Sequence, residues 1–375
     1  MIYFDNAATT KPYEEVANAV DYFNRVFYAN PGSPHSEGRI VKEKIDSARK
    51  QVAEMLSCDP EHIIFTSSGS EANTMAIKGV EDHLRSVGKT HIVTTEYEHK
   101  SILNSFDYMK KHGFDVSIIP VTKDGCVDFD TLKNSIRDDT GFVSVMYVNN
   151  EIGTENKVRG FYSFLKNKGI IFHTDCVQAA LTHNIIAPEF ADMITVSGHK
   201  IHATKGVGCL YVNDISILSP VVHGGDQEYG LRGGTENVPA IIGLGVAAEI
   251  NKNNKDDISK KISVLADVMA SLLIDEFGED SVFHKDGSKI VSLKLNNIDS
   301  ESAVLLFESD GLMVSPGAAC NSVEVRPSHV LKAIGYSDEE ASNSIRISFS
   351  ELNTMKDVLD AFEIIKHRTE NMKSF

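Results

Sequence analysis

Three short stretches carry residues that can do chemistry, and the most informative holds a lysine at the end of an apolar run. Lys200 closes SGHK (197–200), which lies between the runs ADMITV and KGVGCLYV. Asp175 ends another apolar stretch, FHTDC, and SGS (68–70) lies between a strand pattern and a helix pattern. A partly desolvated lysine amine is nucleophilic and forms Schiff bases with carbonyl compounds. The start of a helix offers backbone N–H groups to an anion such as a phosphate.

Each of these residues also has an ordinary structural explanation. A lysine at such a point can lie on an exposed turn, an aspartate there usually caps a helix, and serine before Glu71 is a favourable helix start. Pyridoxal phosphate, however, requires an amine for its aldehyde, an acid for its ring nitrogen and an anion site for its phosphate. Lys200, Asp175 and residues 68–70 supply one of each, and strand ends of an open α/β sheet face one ligand crevice. Together they favour a pyridoxal-phosphate site.

The cysteines are scattered, which argues against a zinc site or a redox pair. Cys58, Cys126, Cys176, Cys209 and Cys320 include no C-x-x-C pair, and no metal site is predicted. Most free cysteines are small buried hydrophobic residues. Only Cys320 lies in a stretch of small residues between a predicted strand and a predicted helix, where a loop with a reactive thiol is expected.

Composition limits the classes of partner. With 37 basic and 53 acidic side chains the net charge is −16, which disfavours direct binding to a nucleic acid backbone. No apolar run approaches the roughly 20 residues of a membrane span. The N-terminus, MIYFDNAATT, has no basic region followed by an apolar core, so a cytoplasmic location is expected.

The order of patterns predicts an α/β fold. Helix-like stretches, among them Glu71 to about Arg85 and SESAVLLFES, alternate with short apolar runs through most of the chain. This alternation predicts a mostly parallel sheet covered by helices on both faces. The predicted strands are HIIFT (62–66), HIVTT (91–95), VSIIP (116–120), FVSVMYV (142–148), GIIFHT (169–174), MITVS (193–197) and GVGCLYV (206–212).

A second, smaller α/β domain is predicted after the polar stretch NKNNKDDISKK. At 375 residues the chain exceeds the size at which one hydrophobic core stops growing. We therefore expect a large domain over 15–253, with 1–14 and 254–375 forming a small domain that carries the Cys320 loop. A long connecting helix is expected to begin near residue 253.

The chain resembles a known family, the cysteine desulfurases of the NifS/IscS kind. The resemblance runs from residue 3 to about 350 and rests on an ordered set of motifs: YFDNAATT, NPGSPH, FTSSGSEAN, EHK, NNEIG, DCVQ, SGHK, HGGDQEYGLRGGTEN, SPGAAC and SIRIS. It implies the type I fold of pyridoxal-phosphate-dependent aminotransferases, with a large and a small domain, and a homodimer. It also implies conversion of L-cysteine to L-alanine, with the sulfur left on an enzyme cysteine as a persulfide.

The resemblance assigns a role to each motif residue. Lys200 would bind the cofactor covalently, His99 would stack on its ring, and Arg346 would clamp the substrate carboxylate. Cys320 would accept the sulfur and pass it to an acceptor protein. The remaining assignments are Asp175 at the ring nitrogen, Asn150 and Gln178 at the phenolic oxygen (Asn150 also near substrate), Ser68, Gly69, Ser70, Ser197 and His199 around the phosphate, and Thr235 at the phosphate of the partner subunit.

The chain also departs from the family pattern at several places. The phosphate turn reads SGS, the cysteine loop reads SPGAAC with Pro316, and SGHK is followed by His202-Ala203-Thr204-Lys205 instead of a Gly-Pro-Lys ending. The stretch SFSELNT lacks the glycine and basic residue that commonly follow the arginine strand. A selenocysteine lyase, another lyase or aminotransferase of the same fold, and a scaffold without catalysis are the alternatives. The sulfur destination stays open among iron–sulfur clusters, tRNA thiolation, cofactor synthesis and DNA sulfur modification.

Overall fold

The computed structural model describes residues 1–296, 298–317 and 327–372. The strands are β1 (Ile2–Tyr3), β2 (Ile63–Thr66), β3 (His91–Thr95), β4 (Asp115–Ile119), β5 (Thr140–Ser144), β6 (Ile171–Asp175), β7 (Met193–Ser197), β8 (Gly208–Val212), β9 (Val282–His284), β10 (Ile290–Lys294), β11 (Leu312–Met313), β12 (Ser315–Pro316) and β13 (Ser344–Ser348).

The helices alternate with these strands along most of the chain. They are α1 (Glu14–Val26), α2 (Ser36–Met55), α3 (Gly69–Gly79), α4 (Glu81–Ser86), α5 (Lys100–Lys111), α6 (Phe129–Ser135), α7 (Val158–Lys166), α8 (Ala187–Phe190), α9 (Val238–Phe277), α10 (Ser300–Ser309), α11 (His329–Ala333), α12 (Asp338–Ser342) and α13 (Met355–Met372).

A seven-stranded sheet forms the centre of the molecule, in the order β2-β8-β7-β6-β5-β3-β4. The pairs from β4 through to β7 are parallel, whereas β8 runs antiparallel to both β2 and β7. Strands β5, β7 and β8 are buried along their whole length, as expected for strands covered on both faces. The prediction of an α/β fold with a mostly parallel sheet is confirmed.

The C-terminal part of the chain builds a smaller antiparallel sheet, β12-β13-β10-β9. Arg346 lies in β13, opposite Ser292 of β10 and Ser315 of β12. The N-terminal strand β1 pairs in parallel with β11, and Phe4 packs on Phe349 with ring centroids 4.7 Å apart. The first residues of the chain therefore run between this sheet and the large sheet.

Three predicted elements differ from the structure. The helix expected from Glu71 to about Arg85 is interrupted after Gly79, because the carbonyl of Gly79 accepts the N–H of Ser219. The strand expected over 142–148 ends at Ser144, beyond which the Met146 N–H is bound by the carboxylate of Glu98 and not by a strand. The expected start of the long helix near 253 is wrong.

That long helix, α9, begins at Val238 and continues without interruption to Phe277. It packs against α1 and α2 in its first half, while its last turns contact β9 and β10. The polar stretch NKNNKDD lies within the helix, where five of its side chains are exposed, while Asn251 and Lys255 are buried and donate to backbone carbonyls. The domain division at 253/254 stays a prediction, and it falls inside α9.

Candidate active site

A cavity of about 330 Å³ opens where the large sheet, the N-terminal segment and β13 meet. The ends of β6 and β7 and the start of α3 form its floor, which is where ligands bind in open α/β sheets. The residues that line it are Ala7, Ala8, Ser68, Gly69, Ser70, Asn73, His99, Met146, Val148, Asn150, Asp175, Val177, Gln178, Ser197, His199, Lys200 and Arg346.

Lys200 ends a short 3₁₀ turn, Gly198–Lys200, which follows directly on β7. Its Nζ donates to the carbonyl oxygens of Ala7 and Ala8, the latter at 2.6 Å. Burial, together with the positive charge of Arg346, lowers the pKa of Lys200 to about 7. A large share of the amine is therefore unprotonated and nucleophilic near neutral pH.

Asp175 is the last residue of β6, and its carboxylate is buried and held at both oxygens. Oδ1 accepts the backbone N–H of Val177 at 2.9 Å, and Oδ2 accepts the side-chain N–H of Asn73 at 2.8 Å. A carboxylate fixed in this way keeps its direction when a cationic group approaches. Asn73 was not predicted from the sequence. It lies in α3, the helix that follows the SGS turn, and it lines the cavity.

His99 caps the N-terminus of α5, where its Nδ1 accepts the backbone N–H of Ser101 at 3.2 Å. The Ser101 hydroxyl lies 2.8 Å from the same nitrogen and 2.9 Å from the Asn73 amide. The imidazole faces the open cavity, while burial by the surrounding protein lowers its pKa. Asn73 thus connects the ring of His99, through Ser101, to the carboxylate of Asp175.

The opposite end of the cavity suits an anion. α3 begins at Gly69, so the first N–H groups of the helix have no acceptor within it, and Ser68 caps the N–H of Glu71 at 3.2 Å. A Cβ on Gly69 would lie 2.9 Å from Val177 Cγ2 and 3.2 Å from Ser197 Cβ, which explains the glycine. Ser197 and His199 line the same end. Burial and the adjacent Lys200 charge lower the pKa of His199 to about 4, so its imidazole is neutral there.

Arg346 reaches the cavity from the small sheet. It donates to the backbone carbonyl of Asn150 at 2.9 Å, and its second terminal nitrogen contacts Asp5 Oδ1 and Ser315 Oγ, each at 3.0 Å. Asp5 and Ser315 lie in the motifs YFDNAATT and SPGAAC but were not predicted as site residues, because the predicted chemistry gives neither a role. The Nε atom of Arg346 is buried and has no hydrogen-bond partner among the described residues. A donor is thus left for a carboxylate to bind.

One predicted residue lies elsewhere, and one lies outside the described residues. Thr235 lines a separate cavity of about 160 Å³ beside Arg232 and Glu228, so its assignment to a partner subunit stays a prediction. Cys320 lies outside the described residues, and its assignment as sulfur acceptor also stays a prediction. Within 1–296, 298–317 and 327–372, no group of His, Cys, Asp and Glu side chains has the arrangement of a metal site.

The donor set of the cavity fits pyridoxal phosphate. An amine with a lowered pKa, a fixed carboxylate and a helix start surround one space, and unpaired polar atoms face it. Within the described part of the chain, Gln178 Oε1 and Asn73 Oδ1 are buried without a hydrogen-bond partner, although Gln178 Nε2 donates to Ala7 at 2.9 Å. Buried polar atoms are nearly always paired, so these atoms await a ligand.

Comparison with known proteins agrees with this geometry. Residues 2–361 match the family described as aminotransferase class-V. The cysteine desulfurase IscS of Methanosarcina thermophila is 36% identical over 380 residues, which cover 100% of this chain and 93% of that protein. The chain belongs to the cysteine desulfurases of the class-V aminotransferase family. It is therefore an enzyme that depends on pyridoxal phosphate, as the other members of the family do.

Solved structures support the same assignment. A NifS-like protein superposes with a TM-score of 0.91 at 31% identity, covering 98% of both chains. A structure described as SspA in complex with cysteine gives a TM-score of 0.80 at 33% identity. The match covers 93% of the present chain and 99% of the SspA chain. Among the residues described, no helix is long and apolar enough to cross a membrane.

Proposed function

We propose that this enzyme converts L-cysteine to L-alanine and transfers the sulfur to its own Cys320 as a persulfide. The observation that carries the proposal is the meeting of Lys200, Asp175 and Arg346 around one cavity. An amine, an acid and a carboxylate clamp are what an amino acid and an aldehyde cofactor require. The related proteins named cysteine desulfurase, and the related structure with bound cysteine, identify the amino acid as cysteine.

The amine and the acid have separate tasks. The cofactor, when bound, supplies an electron sink for the electron pair released at the substrate α-carbon. Lys200 Nζ attaches the cofactor and, because its pKa is about 7, can accept and return a proton near neutral pH. Asp175, fixed by Asn73 and Val177, would hold a proton on the ring nitrogen. His99 would stack on the ring, and residues 68–70 with Ser197 and His199 would bind the phosphate.

Arg346 orients the substrate. Its guanidinium is anchored by Asp5, Ser315 and the carbonyl of Asn150, which leaves the planar fork little freedom to turn. A carboxylate bound there is held in one orientation, and an arginine fork binds carboxylates in two-point fashion. The side chains of Asn150 and Gln178 lie on the cavity wall beside it and would contact the phenolic oxygen of the cofactor.

Cys320 completes the reaction in this proposal. Its thiolate forms an S–S bond with the sulfur of the substrate while the C–S bond breaks. The electron pair of that bond stays with the carbon, which takes up a proton and becomes the methyl group of alanine. The outcome is a persulfide on Cys320, a reversible sulfur-bearing state of cysteine.

We further propose a homodimer in which Thr235 contacts the cofactor phosphate of the partner subunit. The sulfur passes to an acceptor protein in the cytoplasm, for iron–sulfur cluster assembly or tRNA thiolation. The net charge of −16 supports a protein acceptor over direct delivery to a nucleic acid.

The test is a product assay with L-cysteine, a thiol reductant and the cofactor-loaded enzyme. We expect alanine and sulfide in equal amounts. Lys200→Ala should make neither product and should yield no covalent pyridoxyl adduct after borohydride reduction. Ammonia and pyruvate in place of alanine would assign the protein to a different lyase reaction.

A further inference from the structure

The turn that carries Lys200 continues into a buried histidine that faces a carboxylate from the other side of the molecule. Nε2 of His202 lies 3.2 Å from Oε2 of Glu351. The two atoms are not aligned for a hydrogen bond with each other, and neither has a hydrogen-bond partner among the described residues. The two residues fall in the two stretches of sequence that depart from the family pattern, HATK and SFSELNT. These two segments therefore contact each other in the folded chain.

The contacts of His202 define where its protons lie. Nδ1 lies 2.7 Å from the backbone carbonyl of Lys11, which can only accept, so Nδ1 must donate. Nε2 then faces a carboxylate oxygen, and this contact is attractive only when a proton lies between the two atoms. The other oxygen of Glu351 accepts the Tyr13 hydroxyl at 2.5 Å. His202 and Glu351 therefore form a buried contact in which Nε2 and Oε2 lie 3.2 Å apart.

The electrostatics of Glu351 agree with this arrangement. Burial acts to raise the pKa of its carboxyl group, and the neighbouring His202 ring and the Tyr13 hydroxyl nevertheless hold the pKa below its usual value. His202 is fully buried, has a φ of 64°, and its ring stacks on Tyr13 with centroids 4.5 Å apart. A left-handed backbone at a histidine costs free energy, so the surrounding contacts must compensate for it.

The pair lies between the turn that carries Lys200 and the segment that follows β13, the strand of Arg346. On one side, the His202 N–H donates to Thr10 Oγ1 at 2.9 Å, and the Thr10 N–H donates to the carbonyl of His199 at 2.9 Å. These bonds join the lysine turn to the same N-terminal segment that accepts the hydrogen bonds of Lys200. On the other side, Glu351 follows β13, which carries Arg346, and its backbone carbonyl accepts from Lys261 at 2.6 Å.

We propose that His202 and Glu351 are positioning residues that tie the Lys200 turn to the end of β13 and so set the spacing between the amine and the Arg346 clamp. This inference rests on the proposed function for the roles of Lys200 and Arg346. Neither residue of the pair lines the cavity, and both act through the backbone segments that hold the reacting groups.

Two replacements of His202 separate this role from a purely structural one. Glutamine places a donor near the position of Nε2, toward Glu351, whereas asparagine places one near Nδ1, toward the Lys11 carbonyl. Asparagine is also the better tolerated residue in the left-handed region. If the backbone conformation alone matters, His202→Asn should be the milder change. If the contact with Glu351 matters, His202→Gln should be the milder one.

The experiment measures kinetics and lysine labelling in His202→Gln, His202→Asn and Glu351→Gln. We expect His202→Asn and Glu351→Gln to lower kcat/KM for L-cysteine about tenfold, mainly through KM, as small misplacements of a clamp do. In the cofactor-free protein, the pH midpoint for acetylation of Lys200 by acetic anhydride, measured against exposed Lys44, should rise in the same two variants, because a loosened turn admits water to the amine. His202→Gln should stay near the parent in both measurements.

A matched control exists in the small domain. His284 also lies between a carbonyl, that of Ile290 at 2.9 Å, and a carboxylate, that of Asp267 at 2.7 Å, away from the cavity. His284→Gln should leave KM and Lys200 labelling unchanged. A result in which His202→Asn matches or exceeds His202→Gln, or in which His284→Gln reproduces the losses, would overturn the proposal. If His202→Asn does not fold, Glu351→Gln against His284→Gln decides. If the parent makes no alanine, the proposed function fails, and the labelling pattern still tests the pair.

Discussion

The lowered pKa of Lys200 gives a prediction that can be tested without cofactor or substrate. The amine is enclosed by the cavity walls and lies near the positive charge of Arg346, and both disfavour its protonated form. Asp5 and Asp175 act in the opposite direction, but more weakly. We therefore vary the pH and compare the parent with Arg346→Gln, which removes one of the two causes of the lowered Lys200 pKa.

The size of the effect follows from the two pKa values. The ordinary value for lysine is 10.5, and that of Lys200 is about 7. At pH 7.5 roughly three quarters of the Lys200 amine is unprotonated, against about one part in a thousand for an ordinary lysine. Because a less basic amine is also a weaker nucleophile, Lys200 should react about tenfold to a hundredfold faster with an amine reagent of equal access. Its rate should rise with pH up to about 7 and level off above it.

The assay is competitive labelling of the cofactor-free protein with trace acetic anhydride over a series of pH values. Peptide mass spectrometry measures acetylation at Lys200, with Lys44 as internal reference in every sample. Arg346→Gln should move the midpoint for Lys200 to higher pH, because the burial remains and the neighbouring positive charge is gone.

Two outcomes would refute this reasoning. A Lys200 midpoint near the ordinary value of 10.5 would mean that water reaches the amine freely. An unchanged midpoint in Arg346→Gln would mean that the guanidinium does not act on the lysine. Lys255 offers a second comparison, because burial alone lowers its pKa to about 8 and its Nζ donates to the carbonyls of Ala180 and Leu181.

Two further predictions concern residues around the cofactor. Asn73→Ala should raise the Kd for pyridoxal phosphate about tenfold, because Asp175 loses one charge-assisted hydrogen bond. Asn73→Asp should raise the Kd further, because it sets two carboxylates side by side. Equal binding by both variants, measured by equilibrium dialysis, would contradict this. Thr235→Ala should speed the loss of cofactor from a dimer seen in sedimentation; a monomer that retains its cofactor tightly would remove Thr235 from the site.

The elements that carry the site could be predicted from the sequence, because each is a local pattern. β7 occupies 193–197 as predicted, and the helix SESAVLLFES occupies 300–309. The start of α9 could not be predicted, because the apolar residues after Val238 and the polar stretch near 253 look like two separate elements along the chain. Helix α9 is continuous because its first half is buried against α1 and α2, which is a tertiary effect.

The site shows the same limit. Lys200, Asp175 and residues 68–70 were predicted because each is a reactive or anion-binding group in a recognisable motif. Asn73 and Asp5 were missed although they lie in the motifs FTSSGSEAN and YFDNAATT, because they act on Asp175 and Arg346 across 102 and 341 positions of sequence. His202 and Glu351 were noticed only as departures from a pattern. Their contact depends on the fold, which brings the N-terminal segment between the two sheets.

The most direct test of the central claim is a single turnover with L-cysteine in the absence of any thiol reductant. Cofactor-loaded parent enzyme should release one alanine per active site and gain the mass of one sulfur atom on the peptide that contains Cys320. Cys320→Ala should retain the cofactor absorbance and form neither alanine nor persulfide, while Cys126→Ala, which changes a half-buried cysteine outside the site, should behave as the parent. Alanine formed at the parent rate by Cys320→Ala would contradict the account.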